Sequence, residues 1–299
     1  MKKISLSILV ALFMYGTGIA QDTTLVATDT TVMTINESAT TESIVTQTFP
    51  AKKEPIYKIN PWVDYPLTAV TTATTLYGFS KIYSKDRLTL EELSSLNPKN
   101  VNRFDRSATK QFNESASKVG DYLFYGSMPL PVIFLFDKKT RKDFPKLATL
   151  YLEAMGVTGI IYVSAVHFGS RYRPYAYNPE VPVEFRTRGG ARNSFFAGHP
   201  SLVGTSTFFM ATVFSDYHPE SKSKWLFYTL AGAATLGTAT ARYLGGRHFP
   251  TDLLIGITLG PLSGILIPKL HKNKDLSKRK TTFMPYFGES SGMVVVHKF

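Results

Sequence analysis

Apolar residues gather into six stretches long enough for helices, Leu67 to Tyr83, Val119 to Phe136, Leu147 to Phe168, Ser201 to Tyr217, Trp225 to Tyr243 and Leu253 to Leu270, with polar segments between them. The pattern predicts an all-α fold: a bundle of about six long helices with irregular flanks. Most of these stretches approach the ~20 apolar residues that cross a bilayer core, so the bundle is expected to be membrane-embedded. The first is the weakest, being rich in Thr and holding Gly78. A mean hydropathy of −0.04 is low for a chain made of spans, which keeps a peripheral bundle open as the alternative.

Outside the bundle the patterns change. Lys2 and Lys3, an apolar run from Ile4 to Tyr15, and small residues at Gly18 and Ala20 form a secretory signal over 1–20 or, if retained, a first anchor helix. Residues 21–60 are dominated by Thr and Ser with no helical period, the composition of a disordered linker. An accessory helical segment follows over 61–118; its stretch from Lys85 to Ser117 reads as surface helices without chemistry. The helical-bundle domain then occupies 119–270. The basic tail, 271–299, ends in Gly292 to His297, which reads as a lone strand.

Charge sets an orientation. The runs Asp137 to Lys142, Lys222 to Lys224 and Lys269 to Lys280 fall at one end of the alternating helices, the cytoplasmic end by the positive-inside tendency. The Arg- and Gly-rich segment from Ser170 to Arg192 then faces the periplasm or exterior. Six spans after a cleaved signal would invert this arrangement, so one stretch must not span, and Leu67 to Tyr83 is the candidate. These readings together place the protein in the cell inner membrane.

The formal net charge of +12 suits nucleic acid, an anionic membrane or an anionic substrate, and only its distribution can choose among them. With no Cys in the chain, disulfides, thiolate metal sites and cysteine nucleophiles are excluded, leaving His, Asp, Ser and Arg to carry chemistry.

Three short stretches at helix ends supply those groups: Arg173-Pro174, then Ala197-Gly198-His199-Pro200, then Arg242 followed by His248 and Asp252. Arg173 follows the third helix, His199 opens the fourth, Arg242 closes the fifth and His248 opens the sixth, so an up-down bundle puts all four at one end. Pro200 and Pro250 suit first turns, where open amides and the positive dipole end favour an anion. Two guanidinium groups add paired donors matched to phosphate. Asp252, one turn beyond His248, is close enough to accept from its Nδ1 and leave Nε2 free as a nucleophile. A second imidazole, His199, can then protonate the departing oxygen and later activate water.

The set Arg242-x5-His248-x3-Asp252, with Gly198-His199 and Arg173-Pro174 upstream, resembles the type 2 phosphatidic acid phosphatase and vanadium haloperoxidase superfamily. The resemblance covers roughly Val119 to Leu270 and implies a helical bundle with its site between helix ends. It also implies Arg173 and Arg242 as phosphate ligands with the Gly198 and Ala197 backbone, His199 as general acid, His248 as nucleophile and Asp252 as its orienting partner. Three positions depart from the family pattern: Val166 stands for its Lys, and Ala197 and Ala241 each stand for a Ser, so reduced activity is an expectation. His167 adjoins Val166 but points about 100° away around a helix. With Arg171 and Arg192 it forms an auxiliary set; Arg186 and Arg188 are further replacements for the missing charge.

The expected function is metal-independent hydrolysis of a lipid phosphate or diphosphate through a phosphohistidine, at a membrane and without nucleic acid. No cofactor or metal is implied, since two Arg and two helix ends supply the positive charge. The alternatives are a vanadate-dependent haloperoxidase and a degenerate member that binds phosphorylated lipid without turnover.

Overall fold

The computed structural model describes residues 55–273, 281–286 and 292–297. The signal, the linker as far as Glu54 and the basic run 274–280 lie outside the described residues.

Six helices build the bundle: α1 Pro61–Tyr83, α2 Glu114–Ser127, α3 Phe144–Phe168, α4 Gly198–Tyr217, α5 Lys224–Leu244 and α6 Pro250–Leu270. The starts of α1 and α2 are capped by local side chains. Asn60 Oδ1 accepts from Trp62 N at 3.1 Å ahead of Pro61, and Asn113 Oδ1 accepts from Ala116 N at 2.9 Å. The stretch predicted as one helix over 119–136 is broken: α2 stops at Ser127, and Leu130–Leu135 forms a 3₁₀ turn. Pro129 and Pro131 are the cause, since neither can donate to a continuing helical ladder.

α1 runs parallel to α3 and meets it through polar rather than apolar side chains. Thr68, Thr71 and Thr75 are buried on one stripe, and Gly156 and Gly159 of α3 lie against Thr71 and Thr75. Thr75 Oγ1 donates to the Gly156 carbonyl at 3.2 Å. The Thr content that weakens α1 in a hydropathy reading is therefore its packing surface. Among the described residues, two helical stretches, Arg141–Phe168 and Pro250–Leu270, are long and apolar enough to cross a membrane, fewer than the sequence pattern suggested.

α4 and α6 both begin at the site end and run away from it side by side. Gly256, Gly260 and Gly264, spaced four apart, let α6 approach the carbonyls of Ala197, Ser201 and Thr205. A Cβ on Gly260 would fall 1.9 Å from Ser201 O. Gly260→Ala is thus expected to destabilise the fold by roughly 1–3 kcal/mol through overpacking, despite alanine's better helix propensity. Thermal unfolding of the variant would measure this, and an unchanged or higher Tm would refute the close approach.

Gly292–His297 does not stand alone: β2 (Gly292–His297) pairs antiparallel with β1 (Thr281–Tyr286). No strand joins the bundle among the described residues, so the functional architecture is helical.

Candidate active site

α1, α3 and α5 end, and α2, α4 and α6 begin, at the same end of the bundle. The α5–α6 turn is tight: Gly246 has φ 65°, a left-handed conformation suited to glycine, and a Cβ there would lie 2.1 Å from Gln111 O. This turn delivers Arg242, Arg247 and His248 to the loop 170–194. Gly198 opens α4 directly against the Tyr162 ring, which a Cβ would approach to 2.6 Å, so the helix start can sit this close only without a side chain.

His248 is buried, and its Nδ1 lies 2.7 Å from the Ser194 carbonyl. Because a carbonyl only accepts, Nδ1 carries the proton and Nε2 keeps its lone pair, 3.4 Å from a terminal nitrogen of Arg173. Burial, reinforced by Arg173 and Arg242, holds the imidazole well below the usual histidine range, so it is neutral at neutral pH. Arg173 is fixed by its Nε on the Gly190 carbonyl at 2.9 Å and by a terminal nitrogen on the Arg247 carbonyl at 3.1 Å.

The second half of the site has the opposite tautomer. His199 Nε2 donates to Asp121 Oδ1 at 3.1 Å, and Nδ1 accepts from Arg242 at 3.4 Å. Arg242 also donates to Asp121 Oδ1 at 2.8 Å and to the Ser117 carbonyl at 3.1 Å. Its Nε is buried with no partner, a donor facing no acceptor in the protein. Burial first pushes His199 down to about 4, with Arg242 and Arg173 adding to the drop and Asp121 opposing it. The two halves are electrostatic neighbours, since His199 and Arg242 both act on His248.

These shifts predict acid lability. Folded His199 titrates near 4, below its unfolded value near 6.5, so the unfolded chain binds more protons between those limits. Stability is then complete above about pH 6.5 and is lost as pH falls toward 4, at roughly 1.4 kcal/mol per pH unit, with His248 acting in the same direction. Tm should drop between pH 7 and pH 5, less steeply in His199→Gln, and inorganic phosphate should raise it by favouring the protonated imidazoles. Parallel pH profiles for the two chains would count against this account.

The remaining sequence-predicted residues are placed differently. Asp252 does not accept from His248: its Oδ2 is 3.9 Å from Nδ1, which the Ser194 carbonyl already holds. Asp252 instead accepts from Ser194 Oγ at 2.7 Å, from Phe249 N at 2.9 Å and from Arg171. It thus fixes the loop whose carbonyl orients the imidazole. The Ala197 amide is spent on the Asp252 carbonyl at 3.1 Å, leaving Gly198 and His199 as the open amides of the α4 first turn.

Arg171 is committed to Asp105 at 2.7 Å and to Asp252, and Arg192 to Glu92 at 2.7 Å, so neither turns toward His248. His167 is exposed, packed on Phe168. Arg186 donates to the Ala176 carbonyl, and Arg188 lies over the Phe185 ring. Val166 is fully buried beside Tyr162 and Phe196, an apolar place for a family cation.

Several residues were not singled out by sequence. Asp105, in the segment read as lacking chemistry, anchors Arg171 and accepts from Thr251 N at 3.0 Å. Ser194 and Asp121 join their imidazoles from distant elements. Arg247 donates to Ser117 Oγ at 2.9 Å and is held below its usual range by burial and then by Arg173. Lys85 Nζ donates to the Val166 carbonyl at 2.7 Å. Only Arg247 carried a sequence signal, its place directly before His248 in the turn.

The helical bundle thus gathers two histidines, of opposite tautomer, and two buried arginines at its helix ends. The chain is similar to the PAP2 superfamily, whose family model matches residues 147–276. It is also similar to a solved structure, the crystal structure of the first transmembrane PAP2 type phosphatidylglycerolphosphate phosphatase from Bacillus subtilis. That likeness has 21% identity and a TM-score of 0.44, over 70% of this chain and 94% of that one. No curated protein matches the chain.

Proposed function

We propose that the protein is a lipid phosphatase that works through a phosphohistidine on His248. The observation that carries this reading is the free Nε2 of neutral His248 beside Arg173, with the unpartnered Nε of Arg242 among its electrostatic neighbours. Nε2 attacks phosphorus and the bond to the lipid oxygen breaks. His199, protonated when the anion binds, gives its proton to that oxygen. His199 then takes a proton from water, which attacks the phosphohistidine, releasing inorganic phosphate and restoring His248. Arg173, Arg242 and the Gly198 amide hold the equatorial oxygens, Asp121 keeps His199 in place, and Asp252 acts on His248 through Ser194.

Arg247, an electrostatic neighbour of Arg173, and Lys85, which reaches the Val166 carbonyl, supply positive charge while Arg171 and Arg192 are already paired with carboxylates. Exposed apolar side chains on the bundle, among them Trp62 and Leu76 of α1, Trp225 and Leu236 of α5 and Leu262 and Leu266 of α6, favour a lipid setting. In this reading the chain sits in the inner membrane, delivered by its signal, with the site toward the periplasm or exterior.

The test is phosphate release by the purified full chain, in detergent with chelator and no added metal, from phosphatidic acid, a polyprenyl diphosphate and a lipid A phosphate. Release from at least one is expected. Arg242→Ala should lower kcat/KM roughly 10- to 100-fold, since a charged hydrogen bond contributes about 1.5–3 kcal/mol. Binding without release would identify a degenerate member, and vanadate-dependent halide oxidation a peroxidase; either would overturn the proposal.

A further inference from the structure

Three titratable side chains that the phosphate chemistry does not use converge at the opposite end of the bundle. Asp64 lies in the first turn of α1, Glu153 on α3, and His271 directly after α6. Asp64 and Glu153 are 5% and 3% exposed, and one ligand atom from each of the three lies within 4.8 Å of the others. His271 Nε2 stands 3.5 Å from Asp64 Oδ1 and 3.7 Å from Glu153 Oε2.

A histidinium bridging two carboxylates would draw them to about 2.7–2.9 Å. The spacing is too long for that, and Glu153 Oε2 is buried with no hydrogen-bond partner at all. An ionised carboxylate on a helix whose Leu150 and Ala154 lie in the core is costly unless a cation meets it. Ligands at 2.0–2.2 Å from a tetrahedral zinc ion stand about 3.4 Å apart, close to the distances seen.

The supporting contacts favour the same reading. His271 Nδ1 donates to the Ile267 carbonyl at 2.8 Å, which leaves the Nε2 lone pair directed at the two carboxylates, the arrangement a ligating histidine needs. The second oxygen of Asp64 accepts from Asn60 N at 2.7 Å, fixing the carboxylate with Oδ1 turned inward. One imidazole and two carboxylates suit a divalent transition metal better than Ca²⁺ or Mg²⁺, which take more oxygens or water.

We infer that Asp64, Glu153 and His271 form a binding site for a divalent transition cation of the Zn²⁺ class that ties α1, α3 and the end of α6 together. The site is separate from the phosphate chemistry and is structural: metal binding clamps the bundle end remote from His248.

The test uses the full chain in detergent, stripped with chelator and titrated with Zn²⁺ alone, with bound metal read by elemental analysis and stability by thermal unfolding. About one Zn²⁺ per chain and a rise in Tm are expected. Glu153→Gln, which keeps the side-chain shape, should weaken binding at least tenfold and abolish the Tm rise. His218→Ala, which removes a histidine paired with Asp137 elsewhere, should leave both intact. Equal Zn²⁺ affinity in wild type and Glu153→Gln would overturn the site. So would a Zn²⁺-insensitive wild type in which Glu153→Gln alone raises Tm, the mark of a carboxylate pair sharing a proton. Because metal content and Tm are read without turnover, this result does not depend on whether the protein is a phosphatase.

Discussion

His248→Ala is expected to cut phosphate release roughly 1000-fold or more, because in the proposed mechanism it removes the atom that bonds to phosphorus rather than one of several donors around it. The imidazole is held in the required tautomer before substrate arrives: Nδ1–H is spent on Ser194 O at 2.7 Å, and burial keeps the ring neutral. Wild type quenched during turnover with a labelled lipid phosphate should retain label on protein that is stable to base and labile to acid, and His248→Ala should retain none. His199→Ala should still accept label from a substrate with a good leaving group but release it slowly, because the later water attack lacks its base. Turnover in His248→Ala within tenfold of wild type would sink the covalent mechanism. A fully active His199→Ala would sink the assigned proton path. Folding of the variants is checked by inorganic phosphate, which should still raise their Tm through Arg173 and Arg242.

What the sequence made legible followed from periodicity and spacing. Arg173, His199, Arg242 and His248 sit at or just beyond the ends of alternating helices, and an up-down order of helices brings such ends together whatever the loop lengths. Side-chain partners were less legible, for two physical reasons. Asp252 is one turn from His248, so helical geometry alone favoured a direct bond. The imidazole instead turned to a main-chain carbonyl, Ser194, whose position depends on a loop with no period. Asp121 reaches His199 from α2, a contact across 78 residues that no local pattern encodes. Hydropathy also undervalued α1, because a Thr stripe packing on Gly156 and Gly159 scores as polar although it is buried. It overextended α2, because Pro129 and Pro131 are apolar by composition yet end a helix.

Asp252→Ala is expected to destabilise the folded chain by about 3–5 kcal/mol, since it removes one partner of a buried ionic network and leaves the others unpaired. Asp252 is completely buried and accepts from Ser194 Oγ, Phe249 N and Arg171. Its loss strands the Ser194 hydroxyl and the first amide before α6, and leaves Arg171 only Asp105 and Thr251. At about 2–4 °C per kcal/mol for a chain of this size, Tm should fall by roughly 10 °C. Asp252→Asn keeps the volume and one acceptor oxygen but turns its NH₂ group toward donors, so a smaller fall is expected. The same changes should slow turnover roughly 10- to 100-fold at temperatures where the variants remain folded, because the Ser194 carbonyl is no longer anchored beneath His248. Ser194→Ala separates the two effects: it keeps the carbonyl that orients the imidazole but removes the hydroxyl that anchors it to Asp252, and it should reproduce part of the rate loss with little of the instability. If Asp252→Ala retained wild-type Tm, the network would not be holding the loop. If Ser194→Ala matched wild type in turnover as well, the route from Asp252 to His248 would have to run elsewhere.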